Sequence, residues 1–400
     1  MLLLISSLER IRSVPKTLYE YYARQPLLPT DGGFDLAAHE SERRRLFTDL
    51  LALPPRMFRD VRLLEFGPDA GANAVVFASW GARCTLAEPN VQAHPRLTES
   101  FQEAGLAARI EDLHNFDVDE FPVSLGPFDV VDAEGFAYTL PLAQWLDKFA
   151  RLVGDEGYAI VSYYAAPGSF FELLWKVAHA RFLELTGLDG AAAAERLFAT
   201  KWASIPHRRS LASWTMDVLE NPFVRLQYFL DPDALLEQAE ASGFVLHSSW
   251  PQYRDPFDVG WYKQKRAARD ALERNKQFVR MNSLSLLLGR RHPSEHEHRV
   301  AIDALLAALD SLIDRFDPHT ATDCRSLLAA IAENVDSGSP DDKARSRQSI
   351  ESASRLLELL AEGDTAVLEA FCASDRGFVE SWGAPCHFAV LRRTSSIPES

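Results

Sequence analysis

Apolar and polar positions change period along the chain, and the changes mark the elements. Val61 to Phe66 is a short apolar run closed by Gly67, the length and character of a buried parallel strand. Beyond a tight turn, Asn73 is placed to cap a helix whose buried stripe is Ala74, Phe77 and Ala78. Cys84 to Ala87 is a second strand and ends in Glu88. The alternation continues with a helix near His94 to Ala104, a short strand at Ala108 to Ile110, and a strand from Phe128. Then come a helix from Leu140 to Val153, with Gly154 as its C-cap, and a strand from Tyr158 to Tyr163. Strand and helix in turn predict a doubly wound α/β sheet. Asp231 to Ser242 is a helix with Asp231 as N-cap and Pro232 in its first turn, and Gly243 to Trp250 is a sixth strand. Gln264 to Arg280 is a charged helix, and Asn282 to Leu288 is the predicted seventh, antiparallel strand.

Three segments do not follow that alternation. Residues 1–54 carry two helical patterns, Ser7 to Gln25 with a break at Pro15 and Leu36 to Leu53, and are expected to form an N-terminal helical lid. Tyr21 and Tyr22 lie on the first, as lid or as packing residues. Ala165 to Asn221 is far longer than an ordinary connection, helical in pattern and dense in aromatics, and is expected to be a substrate cap over residues 165–221. Residues 298–400 repeat Ala, Leu and Ile at helical spacing over Val300 to Phe316, Cys324 to Val335 and Ser349 to Leu360, with Ser337 to Pro340 as a break. Phe378 to Leu391 reads as a strand or hairpin. These mainly helical residues are the candidate surface for a homodimer or for binding a partner.

Composition narrows the function. The formal charge of −15 argues against a protein that wraps nucleic acid, which needs clustered Lys and Arg. The four cysteines show no Cys-x-x-Cys spacing, so a reduced, cytoplasmic protein without a disulfide framework or zinc site is expected. No apolar run is long enough to cross a bilayer. No His, Cys, Asp and Glu grouping has metal-ligand spacing.

The turn after the first strand carries the chemistry. Glu65, Gly67 and Gly71 give acidic-x-Gly-x-x-x-Gly, not the Gly-x-Gly-x-x-Gly of a dinucleotide fold. This resembles motif I of the class I S-adenosylmethionine-dependent methyltransferases, with Asp69 standing where the family has its middle glycine. Glu88 at the second strand tip and the Phe128-Asp129-Val130-Val131 strand agree with that family in order and spacing, so the resemblance covers about residues 55–290. It implies a Rossmann-like seven-stranded sheet that takes S-adenosyl-L-methionine and leaves S-adenosyl-L-homocysteine. It places Glu65, Gly67, Pro68, Asp69 and Gly71 beside the methionine part, Glu88 and Pro89 on the ribose, and Asp112 and Leu113 by the adenine. Asp132, Glu134 and Tyr138 fall near the mouth of the site.

A base is required only where the acceptor is protonated at neutral pH. The candidates are His207, His114, Glu134 and Tyr138. Arg208 and Arg209 are candidates to hold an anionic group of the substrate, with Trp202 beside them. The expected reaction is O- or N-methylation of a small molecule or sugar. The alternatives are methylation of a protein side chain and an inactive scaffold, the latter because Asp69 would repel the methionine carboxylate.

Overall fold

The computed structural model describes residues 15–25, 35–206, 209–256, 268–292, 298–335 and 339–394. The side chain of Tyr138 lies outside the described set. The chain enters through α1 (Leu18–Ala23) and α2 (Leu36–Arg45), the latter continuing as a wider π turn to Leu50. The sheet begins with β1 (Arg62–Phe66), α3 (Ala72–Ser79), β2 (Arg83–Ala87), α4 (His94–Glu103), β3 (Ile110–His114), β4 (Phe128–Glu134), α5 (Leu142–Leu152) and β5 (Val153–Tyr164). Next come α6 (Phe170–Thr186), α7 (Gly190–Ala203), α8 (Leu211–Trp214), α9 (Pro232–Ala241) and β6 (Phe244–Trp250). The remainder is α10 (Ala268–Met281), α11 (Ser283–Leu288), α12 (Arg299–Asp314), α13 (Pro318–Glu333), α14 (Pro340–Glu362), α15 (Thr365–Ser374), α16 (Arg376–Glu380) and β7 (Cys386–Arg393).

Seven strands form one sheet in the order β3-β2-β1-β4-β5-β7-β6. The first five neighbours run parallel, and β7 is antiparallel to both β5 and β6. Period-2 alternation sends Leu63, Val130, Ile160 and Val390 to one face, under α3 and α4, in a core that includes Phe47, Phe58 and Phe77. Leu64, Phe66, Val131 and Val161 face the other way, against Trp145, Leu146 and Phe149 of α5 and Leu235 of α9. Each such side chain, removed from water, contributes on the order of 1.5–3 kcal/mol.

Several elements differ from the pattern reading. Asn282 to Leu288, read as the last strand, is the helix α11, and the antiparallel strand comes from Cys386–Arg393. Ser-Leu-Ser-Leu alternates like a strand, but Leu284, Leu287 and Leu288 bury together on a helical turn in the core they share with α12. The third strand starts where it was expected to end, because Ala107–Arg109 is a 3₁₀ turn and Glu111 to His114 belong to the strand. Asn73 is not the cap of α3. Gly71 is, with φ +85, a left-handed conformation that side chains resist. Gly154 is no C-cap either, since β5 starts at Val153 directly after α5.

The cap helices and the C-terminal helices share one core. Phe170, Trp175, Phe198 and Trp214 pack in the same cluster as Leu305, Leu328, Leu356 and Leu368. The apolar stripes of α12 to α15 are therefore covered within the chain. Tyr21 and Tyr22 fix α1 to the cap: the Tyr21 hydroxyl donates to the Met216 carbonyl at 2.6 Å, and the Tyr22 hydroxyl donates to Asp217. No described helix is long and apolar enough to cross a membrane.

Candidate functional site

The C-terminal ends of β1, β2 and β4 meet at the turn Gly67 to Gly71. Gly67 has φ +65, and a Cβ there would come within 3.2 Å of the Phe136 ring. At Gly71 a Cβ would lie 3.3 Å from Leu97 Cγ. Asp69 also adopts a left-handed conformation, with φ +49. Aspartate tolerates that region better than most residues, so it keeps the backbone path a glycine would allow.

Glu88 follows β2 and turns toward this loop. One carboxylate oxygen accepts the Asp69 N–H at 2.9 Å and the other the Asn90 N–H at 2.7 Å. A carboxylate offers about four lone-pair sites, so about two remain for a ligand. Burial raises the Glu88 pKa above the ordinary carboxylate range, against the opposing pull of the Asn90 and Asp69 amides. Tyr19 of α1 lies near Glu88 and Asp117; burial and then these two carboxylates push its hydroxyl up to about 12.

A band of acids crosses the face beneath α2 and α3. Glu65 on β1 is paired in register with Asp132 on β4, and Glu134 lies two residues beyond Asp132. Arg43 of α2 grips Glu134 with two hydrogen bonds, of 2.6 and 3.0 Å. Its guanidinium also sits 4.8 Å from the Phe47 ring centroid and 5.0 Å from that of Phe77. Asn73 donates to Glu134 at 3.4 Å and its carbonyl oxygen meets His39 at 3.0 Å. By contrast, Glu65 Oε2 is buried without a hydrogen-bond partner, and Asp132, fully buried, shares a side-chain hydrogen bond with Glu134. Burial, then Glu134, pushes Glu65 up to about 8, and the same two causes hold Asp132 well above the usual range. A cluster of buried acids beside a glycine turn, with only one arginine among them, fits a cationic ligand such as the ammonium and sulfonium of S-adenosylmethionine.

The other sequence candidates scatter. His114 ends β3, three strand spacings or about 14 Å from β4. Its ring stacks on Phe116 at 5.6 Å, and its carbonyl accepts the Glu88 N–H at 2.9 Å. That is a packing place at the Glu88 end of the sheet. Asp112 and Leu113 lie within β3, opposite Thr85 and Leu86, with Asp112 exposed. Asp117, beyond the strand end, approaches Tyr19 together with Glu88. Pro68 is buried in the glycine turn, and Pro89 follows Glu88. Trp202 is 7% exposed and belongs to the helical core, with its ring 5.3 Å from Trp214. Arg209 is paired with Asp217 at 2.5 Å, so it braces the cap against Tyr22. His207 and Arg208 lie outside the described residues. Tyr138 is on the 3₁₀ turn after β4.

Arg43, Tyr19 and Asp117 escaped the pattern reading. Arg43 carried one usable signal, its four-residue spacing from Phe47 on a helix, but its acidic partner is remote in sequence. At the β5 and β7 edge, Cys386 lies beside Ser162 and near Glu134. Among the described residues, no His, Cys, Asp and Glu grouping could hold a metal ion.

A methyltransferase-domain family model matches residues 38–249, more than half of the chain. Solved structures with related folds include a candidate sarcosine dimethylglycine methyltransferase from Galdieria sulphuraria, at 12% identity and TM-score 0.34, covering 90% of this chain and 86% of that one. PKMT2 from Rickettsia typhi is 15% identical with TM-score 0.36, covering 52% of this chain and 42% of its own. Magnesium protoporphyrin IX methyltransferase from Synechocystis PCC 6803, with bound S-adenosylhomocysteine, is 12% identical with TM-score 0.32, covering 53% and 76%. No curated protein sequence matches the chain. With the strand order, the glycine turn and the acid at the tip of β2 already in place, the family match makes the chain a member of the class I S-adenosylmethionine-dependent methyltransferases.

Proposed function

We propose that this chain transfers a methyl group to an oxygen or nitrogen of a small molecule or sugar. The observation that carries the reading is the crevice at the tips of β1, β2 and β4. There a glycine turn, a buried carboxylate on the neighbouring strand and the buried acids Glu65 and Asp132 stand together. Glu88 would hold the ribose hydroxyls through its remaining lone pairs, Gly67 to Gly71 would line the methionine part, and Glu65 would face its ammonium. The bound cofactor supplies an activated methyl on a sulfonium.

The chain's own contribution is placement. Holding acceptor and methyl in line can account for about 7–11 kcal/mol of barrier lowering, so no fixed base is required for an amine acceptor that arrives neutral. Glu134 is held by Arg43, which ties it to the fold rather than to proton transfer. A small acceptor is favoured because α1 is clamped across the cap. Leu18 and Tyr21 pack with Met216 and Phe223, and Tyr22, Phe136 and Tyr228 close around them. A folded protein substrate would have to displace that cluster.

Titration calorimetry with S-adenosylhomocysteine tests the cofactor site: the chain should bind it, and Glu88→Arg should lose binding. Unchanged affinity in that variant refutes the assignment, and no binding by the wild type favours an inactive scaffold. For the acceptor, an extract incubated with labelled S-adenosylmethionine should carry label in low-mass compounds. Label in polypeptide would move the reading to a protein methyltransferase.

A further inference from the structure

We infer that the methyl acceptor lies on a shelf at the carboxyl ends of β5, β7 and β6, formed by Tyr164, Cys386, Phe388 and Trp250, and that it is a ring-bearing molecule without negative charge. The inference rests on the methyl-transfer reading above and names the class of acceptor for it.

The register lines this shelf up with the cofactor crevice. Glu134 on β4 pairs with Ser162 on β5, Ser162 with Phe388 on β7, and Phe388 with Trp250 on β6. These residues form one row on the face that carries Val130, Ile160 and Val390. Three strand spacings, about 14 Å, separate its ends. One step further out along the strands, Tyr164 pairs with Cys386. The row begins at the acid that Arg43 holds, beside the crevice, and ends on the edge strand.

The shelf is open. Trp250 is 39% exposed, and Cys386 is exposed although β7 lies between two other strands. A side chain on an interior strand is exposed only where that part of the sheet face is left uncovered. Burial nonetheless pushes the Cys386 thiol up to about 12, so the opening is a recess and not flat surface. Tyr164 stacks on Phe229 with ring centroids 5.5 Å apart, which ties its ring to the core of the cap. The polar atoms are few: the Tyr164 hydroxyl, and the Ser162 hydroxyl, which shares a hydrogen bond with Cys386. Aromatic rings around a mainly apolar floor suit a flat ring in the ligand.

Charge decides the second half of the inference. Arg43 is held by Glu134, and Arg209, which lies near Tyr164, is held by Asp217. Glu65 and Asp132 stand one row inward from Glu134. These acids outnumber the two arginines, and each arginine is already paired. An anionic acceptor meets that excess of negative charge, whereas an uncharged ring does not feel it.

The test uses the full chain, labelled S-adenosylmethionine and an ultrafiltered cell extract split beforehand on an anion exchanger. Label should enter the fraction that passes the exchanger, and the labelled product should absorb in the near ultraviolet. Label chiefly in the retained, anionic fraction, or a labelled product without ultraviolet absorbance, overturns the inference. Cys386→Trp fills the recess, so it should keep its affinity for S-adenosylhomocysteine while labelling falls at least about tenfold, the acceptor no longer lying in line with the methyl. Trp250→Ala, at an exposed position, removes a stacking face and should cut labelling at limiting extract by about two- to tenfold. Should Cys386→Trp also lose S-adenosylhomocysteine, Trp250→Ala alone decides. Wild-type labelling in both variants overturns the shelf and leaves the methyl-transfer reading standing. A wild type that binds S-adenosylhomocysteine but labels neither fraction overturns both.

Discussion

At the scale of single residues, Arg43 decides whether the acid band is tolerable. It neutralises Glu134, forks to both oxygens and stacks between Phe47 and Phe77. Its side chain is 7% exposed and that of Glu134 12%, so water screens the pair little. Removing one partner of such a pair costs about 3–5 kcal/mol, because the other charge stays buried. Arg43→Met should therefore lose that much in urea unfolding, and Arg43→Lys should lose less, keeping the charge without the fork or the stacking. A loss within about 0.5 kcal/mol, typical of surface changes, would show that the pair does not hold α2 down. Glu88 could be read from the sequence because an acid at a strand tip is a local pattern. Arg43 could not, because its role depends on a contact between segments that sequence spacing does not record. The adenine-side assignment to Asp112 depended on where β3 stops. That edge strand carries exposed Glu111 and Asp112, which blurred its apolar signal.

At the scale of elements, a buried lysine helps hold the return path into the sheet, beside hydrogen bonds from Ser204, Ser381 and Trp382. Lys201 of α7 donates to the carbonyls of Phe378 at 2.6 Å and of Ser381, just before β7. Its ammonium lies 4.3 Å from the Trp175 ring centroid and 4.4 Å from that of Trp382. Burial pulls its pKa down to about 7 against the opposing pull of Glu172, and the carbonyls and ring faces stand around the ammonium in place of water. Lys201→Met keeps most of the stem but leaves those carbonyls without their donor. At about 1–3 kcal/mol for each unsatisfied group, the variant should lose on the order of 3 kcal/mol. Amides of β7 should exchange with solvent faster than those of β1 in that variant. Equal rates would mean that β7 is fixed by the sheet alone. The helical pattern of 349–360 and the strand-like run before Leu391 were both visible in the sequence. What joins them, a buried cation reaching across from the cap, was not.

At the scale of the whole molecule, β7 couples the sheet to the helical body. The apolar stripes of 300–360 read as surfaces for a second copy because the pattern shows that a face is apolar but not what covers it. In the fold they close over α6 and α7, and the chain then returns to place β7 between β5 and β6. Tyr158 to Tyr164 pair with Arg392 to Cys386, and Phe244 to Trp250 pair with Arg393 to Phe388. A chain stopped after Pro385 would lose both ladders and bare β5 along its length. It would also lose Phe388, Val390 and Leu391, which pack into the two sheet cores. Burying several such side chains contributes about 1.5–3 kcal/mol each, comparable in sum to the 5–15 kcal/mol that holds a domain folded. The shortened chain should therefore show no cooperative urea transition and no binding of S-adenosylhomocysteine. A cooperative transition with binding retained would mean that the first five strands carry the cofactor site unaided, and that the helical body is a separable unit.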